Sequence, residues 1–344
     1  MSMGVRVARP GDAAAWDAFV LAEPDATFFH RIGWKHVLER AFGHRTHFLL
    51  AERDGKVEGV LPLAEIDSRL FGHSLISTPF CVYGGIIAAT PEAREALDQH
   101  AQALAQDLGV GHLEYRDRDA RAHPDWPGTD LYVTFRKVLD PEVEKNMLAI
   151  PRKQRAMVRK GIKNGLTSEL EEGVDAFYSV FSDNVHRHGT PVLPKRFFML
   201  LREVFGPDCE VQLVRSSGGE VISGVLSFYF RDEVLPYYAG DTLPARGLAA
   251  NDFKYWELMR RACERGIRVF DYGRSKVDTG PYDFKRNWGF EPQPLHYGYK
   301  LVTARKLPEN NPNNPKYQLF IQAWQRLPRP VANFLGPYIV RNLG

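Results

Sequence analysis

Lys56-Val57-Glu58-Gly59-Val60-Leu61 has an echo in the second half of the chain, Glu220-Val221-Ile222-Ser223-Gly224-Val225-Leu226. Each follows a turn pair, Asp54-Gly55 or Gly218-Gly219, and opens an apolar, β-branched run, the pattern of a hairpin strand. Working outward, the two surroundings also match. An aromatic-glycine step, Phe42-Gly43 or Phe205-Gly206, precedes a strand expected over 47–52 or 210–215. The return strands are expected over 57–66 and 221–230, and the second copy adds a strand over 234–239. In the first copy a bend at Gly84-Gly85 follows. Helices over 91–108 and 250–265 end at Gly109 and Gly266, and strands over 112–115 and 268–272 close each series. One order of elements written twice predicts two copies of an α+β unit.

A length of 344 residues suits two such domains. The 44% hydrophobic and 25% charged content is that of a globular protein. A net charge of +3 does not by itself mark a nucleic-acid binder, and DNA is not an expected partner. Cys81, Cys209 and Cys263 are scattered, which fits a reducing compartment and no disulfide framework. The segment from Met1 to Arg6 lacks the apolar run of a signal peptide, and no stretch is long enough to span a bilayer. The expectation is a cytoplasmic protein. His44 and His47 lack the further ligands a metal needs, so no metal site is expected. Nucleophile-elbow, Walker and dinucleotide motifs are absent, which removes the usual support for hydrolases, NTPases and dehydrogenases.

Two segments carry candidate chemistry. In Gly280-Pro281-Tyr282-Asp283-Phe284-Lys285-Arg286-Asn287-Trp288-Gly289-Phe290, the glycine opens a short helix. Phe284 and Trp288 lie one turn apart, with Lys285 on the flank of that turn. A lysine beside aromatics is partly desolvated and acts strongly on an opposed anion; the alternative is a solvated surface lysine. In 150–165, Pro151 and Gly165 bracket a helix on which Arg152, Arg155, Arg159 and Lys163 form one stripe without acidic counter-charges. Such a stripe is either a solvated face or a phosphate-facing one.

Gly280, Phe284, Lys285, Trp288 and Gly289 fill every position of the Gly-x-x-x-Phe-Lys-x-x-aromatic-Gly signature, and the chain resembles the FemABX-type aminoacyltransferases. The resemblance covers nearly the whole chain. It implies an α+β fold of two tandem GNAT-like domains with a C-terminal helical tail. The expected divisions are a first domain over 1–148, a basic connecting helix over 149–165, a second domain over 166–305, and a tail over 306–344. The implied activity moves an aminoacyl or acyl group from an activated carrier to an amine of an envelope or exopolysaccharide precursor. Aminoacyl-tRNA is the expected co-substrate, with no tightly bound cofactor. Lys285 is the candidate catalytic group, stabilising the developing oxyanion or an adjacent donor phosphate. Phe284 and Trp288 orient it, in a cleft, and Arg152, Arg155, Arg159 and Lys163 would take the donor phosphates.

Further candidate substrate contacts are Trp34, in an aromatic segment that begins at Thr27 and reads equally as core, and Tyr83 and Gly84, in a hydroxyl- and glycine-rich loop whose paired glycines suit either close approach to a ligand or a bulge. In the second copy they are Tyr238, Asn251, Arg274 and Ser275. The segment 152–161 and Asn313-Asn314-Pro315-Lys316-Tyr317, with Trp324 and Leu327-Pro328, are similar to the FemAB-like proteins associated with exosortase/PEP-CTERM systems. An acyl-CoA-dependent N-acetyltransferase of the same fold stays open. Against it, Pro244–Asn251 departs from the Arg/Gln-x-x-Gly-x-Gly/Ala loop that cradles CoA pyrophosphate. A non-catalytic binding protein also stays open. In the tail, Tyr317, Phe320, Ile321 and Trp324 recur at helical spacing. Packing against the body is the preferred reading, with peripheral membrane contact as the alternative.

Overall fold

A computed structural model of the chain describes residues 3–68, 71–120, 122–307 and 315–344. These form two units, one from 1–132, 294–310 and 341–344, the other from 133–293 and 311–340.

The first unit is a sheet ordered Gly4–Val7, Thr46–Arg53, Lys56–Ser68, Gly72–Ser77, His112–Asp117, His296–Leu301, Gly128–Thr129. Its neighbours are antiparallel except Gly72–Ser77 and His112–Asp117, which run parallel. Side chains of a strand alternate between faces. Leu49, Ala51, Leu61 and Leu63 therefore bury against helix Pro91–Asp107, through Ala93, Leu97, Ala101 and Ala105. Phe48 turns the other way and stacks on Trp16 of helix Ala13–Ala22, their centroids 5.5 Å apart.

The second unit repeats the plan: Thr167–Glu171, Cys209–Arg215, Val221–Phe230 and Glu233–Asp241 are successive antiparallel neighbours, followed by Val269–Asp271 in parallel. Helix Ala250–Glu264 covers one face through Trp256, Met259 and Ala262. Helix Asp175–Arg187 covers the other and approaches so closely that a Cβ at Gly240 would lie 2.7 Å from Phe181 Cα. The expected twin α+β architecture is present.

Three expected divisions are corrected. Strand Tyr132–Val138, assigned to the first domain, pairs antiparallel with Val269–Asp271 in the second sheet, with Lys137 opposite Phe270. Strand His296–Leu301, assigned to the second domain, pairs antiparallel with His112–Asp117 in the first sheet. Each copy's final strand is thus completed by the segment that follows the other's. Helix Arg152–Lys163 is not a separate connector: Val158 and Gly161 seat it on helix Ala250–Glu264, where a Cβ at Gly161 would lie 2.8 Å from Phe253 Cβ. The tail helices Pro315–Arg326 and Arg329–Val340 belong to the second unit and pack on helix Asp175–Arg187. Asn313 and Asn314, in the expected turn-rich linker, lie outside the described residues. No helix among the described residues is long and apolar enough to cross a membrane.

Candidate active site

In the second unit, strand Val269–Asp271 delivers its last residue, Asp271, into the interior. One carboxylate oxygen accepts from Thr134 Oγ1 at 3.1 Å and from the Gly273 N–H at 2.8 Å. Gly273 has φ +70°, a left-handed turn that glycine adopts without strain. That turn aims two carbonyls at one point, where Lys285 Nζ donates to Gly273 O at 2.9 Å and to Arg274 O at 3.2 Å. Helix Gly280–Asn287 holds Lys285 there and ends in a Schellman motif. The Phe290 N–H returns to Lys285 O, the Gly289 N–H to Arg286 O, and Gly289 has φ +78°.

The expected cleft position of Lys285 is corrected: it is buried, 9% exposed, with Nζ 5.6 Å from the Phe135 ring centroid and 5.8 Å from that of Tyr272. Burial pulls its pKa down to about 7; Asp271 opposes that shift and Arg274 adds to it. The rings against the ammonium are Phe135 and Tyr272, not Phe284 and Trp288. Phe284 packs 6.0 Å from Trp288, whose indole N–H donates to Asp252 Oδ1 at 3.0 Å. Burial raises the Asp252 carboxyl above its ordinary range. Two hydroxyls of the same segment, Tyr272 Oη and Ser275 Oγ, are buried with no hydrogen-bond partner among the described residues.

Of the other residues expected in this unit, Arg274 and Ser275 are in the Lys285 loop, Arg274 half-buried and Ser275 buried. Asn251 is half-buried in the first turn of helix Ala250–Glu264, beside Asp252. Tyr238 joins an aromatic cluster, 5.2 Å from Phe198 and 5.8 Å from Phe197, and serves packing. Arg152, Arg159 and Lys163 are exposed and Arg155 is half-buried, its guanidinium donating to Leu148 O at 3.0 Å. With Ala156 and Lys160 they line a shallow depression of about 460 Å³. The helix carries six basic residues and no acidic one.

The first unit holds a different pocket, of about 380 Å³, and Tyr83 and Gly84 are among the residues that line it. Its loop is strained: Thr78 and Phe80 have φ +46° and +68°. A Cβ at Gly84 would lie 2.7 Å from Ser77 O, and one at Gly85 has no room against Asp117. Trp34 is corrected. It is fully buried between Phe28 and Phe29, 6.1 and 5.7 Å away, and belongs to the core.

Sequence reasoning missed His30 and Asp117 here. The Thr27 N–H donates to His30 Nδ1 at 3.1 Å, so the ring proton sits on Nε2, which donates to Gly85 O at 3.0 Å. Asp117 is 9% exposed and burial pushes its carboxyl up to about 6. Arg118 lies 6.0 Å from the Tyr83 ring centroid. The available signals were Thr27 three residues before His30 and an Asp at the end of a strand.

Residues 152–286 match the acetyltransferase (GNAT) domain, from the first residue of the basic helix to the one after Lys285. The chain therefore carries an acyltransferase domain. No curated protein matches the sequence. Among solved structures, FemX is 16% identical, with TM-score 0.66 over 94% of this chain and 100% of that one. L-PGS from Bacillus licheniformis is 11% identical, with TM-score 0.59 over 94% and 99%. A tandem GNAT protein from the clavulanic acid biosynthesis pathway is 12% identical, with TM-score 0.57 over 89% and 100%. At these identities the likeness is one of fold, and that fold is the tandem GNAT.

Proposed function

We propose that this chain is a FemABX-like N-acyltransferase that moves an aminoacyl group from aminoacyl-tRNA to an amine of an envelope or exopolysaccharide precursor. The observation that carries the reading is the Lys285 site, where a buried amine donates to the Gly273 and Arg274 carbonyls beside two buried hydroxyls that have no hydrogen-bond partner among the described residues. In the reaction the acceptor nitrogen attacks the ester carbonyl. A C–N bond forms, the C–O bond to the ribose breaks, and the ribose oxygen leaves with a proton from the attacking nitrogen. Lys285 stabilises the charge that builds on the carbonyl oxygen or on the donor's neighbouring phosphate.

A neutral lysine amine has two N–H groups, and the carbonyls of Gly273 and Arg274 satisfy both. Protonation adds a third donor, and an anion is the partner it lacks. The basic helix supports a polyphosphate donor, since each lysine or arginine placed on a phosphate releases a counterion. Against a CoA donor, helix Leu243–Leu248 runs into helix Ala250–Glu264 through Ala249 alone, leaving no open phosphate-cradling loop. The likeness of 152–161 to exosortase-associated FemAB-like proteins supports an envelope setting.

The test is single-turnover loss of the aminoacyl ester from charged tRNA in the presence of a simple amine. Wild type should transfer it, and Lys285→Met should be slower by on the order of a hundred- to a thousand-fold. Transfer from acetyl-CoA but not from tRNA would replace this reading with the acetyltransferase one.

A further inference from the structure

The last two helices turn their large apolar residues outward. In helix Arg329–Val340, Val331, Phe334, Leu335 and Tyr338 recur at i, i+3, i+4 and i+7 and are 42%, 67%, 39% and 61% exposed. The buried side is made of Ala332 and Gly336, and a Cβ at Gly336 would lie 2.8 Å from Val192 N. The helix thus docks through its small residues, the reverse of a core-seeking helix. Helix Pro315–Arg326 behaves alike: Trp324 is buried and Ile321 abuts Gly189, while Leu319 and Phe320 are 72% and 40% exposed. Single exposed apolar residues are ordinary, but a run of them along two consecutive helices marks an interaction surface.

Charge decides the occupant. The two helices contain Lys316, Arg326 and Arg329 and neither Asp nor Glu. Arg326 is exposed, and Arg329 lies 3.6 Å from Asp183. A second copy of this chain would bring basic residues against basic residues. A layer of anionic headgroups complements them and accepts the apolar side chains beneath.

We propose that the two helices form a peripheral membrane surface for an anionic phospholipid bilayer, with Leu319, Phe334 and Tyr338 at the headgroup–acyl boundary. The inference is independent of the donor and of Lys285. It is tested by cosedimentation with vesicles of phosphatidylcholine alone or with about 30 mol% phosphatidylglycerol, a range in which a basic segment feels the surface potential. The full chain should bind the anionic vesicles, less so as salt rises. Phe334→Ser/Tyr338→Ser should weaken binding by roughly tenfold or more, and its melting temperature should match wild type because both side chains are exposed. Leu319→Gln should weaken it in the same direction. The proposal is overturned if wild type stays in the supernatant with both vesicles, if it binds both equally at every salt concentration, or if the double variant binds as wild type. It is also overturned if the double variant abolishes a concentration-dependent dimer and wild type binds no vesicle, for then a second copy covers the face.

Discussion

Lys285 is where charge, burial and hydrogen bonding meet. Its pKa is lowered from 10.5 to about 7, so between those values the unfolded chain holds a proton that the folded site has released. Its contribution to stability therefore improves as pH rises from about 7 toward 10.5, and is least favourable below about 7. Lys285→Met removes the titration while keeping the packed stem, and urea titrations should show wild type gaining on the variant across that window. A parallel pH dependence of the two proteins would mean the lysine is not desolvated. Lys285→Ala leaves the Gly273 and Arg274 carbonyls without their partner and should cost about 1–3 kcal/mol. The same logic gives a binding prediction. Near pH 8 the amine is largely neutral, so an anionic donor that needs its third N–H should bind with proton uptake. Calorimetry in buffers of different ionisation enthalpy reads this directly, and zero uptake in wild type would contradict the role assigned to Lys285.

At the scale of elements, the helix that carries Lys285 is fixed at its end by Gly289. A side chain there meets both φ +78° and the Pro151 ring, 3.2 Å from where a Cβ would stand. Gly289→Ala should cost at least about 1 kcal/mol by denaturant titration, and activity should fall further as Lys285 loses its register. Wild-type stability in that variant would contradict the Schellman assignment. This element was legible in the sequence because its signals are local: Gly280 opens it, and Phe284 and Trp288 fall on one face, while the closing role of Gly289 emerged only from its hydrogen bonds and φ. The burial of Lys285 was not legible, since Phe135 and the Gly273 turn come from distant segments. For the same reason His30 and Asp117 went unseen, being joined through the Gly85 loop and not through spacing. Trp34 failed differently: an aromatic at helical spacing reads alike for core and cleft, and here Phe28 and Phe29 enclose it.

At the scale of the whole molecule, the repeat was legible as an order of elements, while the exchange of strands was not. A strand that directly follows a copy is assigned to that copy by proximity, yet Tyr132–Val138 and His296–Leu301 each complete the other sheet. The exchange makes the first sheet depend on residues beyond 293. Tyr297 is 1% exposed there and donates its hydroxyl to Val82 O at 2.7 Å. Tyr297→Ala should cost about 3–5 kcal/mol, the scale of an aromatic removed from a core. Protease sensitivity should appear within 1–132, and a variant as resistant as wild type would contradict the exchange.

The donor we propose is a tRNA met by the helix Arg152–Lys163. The direct measurement is binding of charged tRNA across a salt series, in wild type and in Arg152→Gln/Arg159→Gln, with acetyl-CoA as competitor. The log–log salt slope should be shallower in the double variant by roughly 0.7 to 0.9 per lost contact. Affinity should weaken alike for all tRNA sequences, and acetyl-CoA should not compete. An unchanged slope and affinity in the double variant, with acetyl-CoA displacing the ligand, would contradict it.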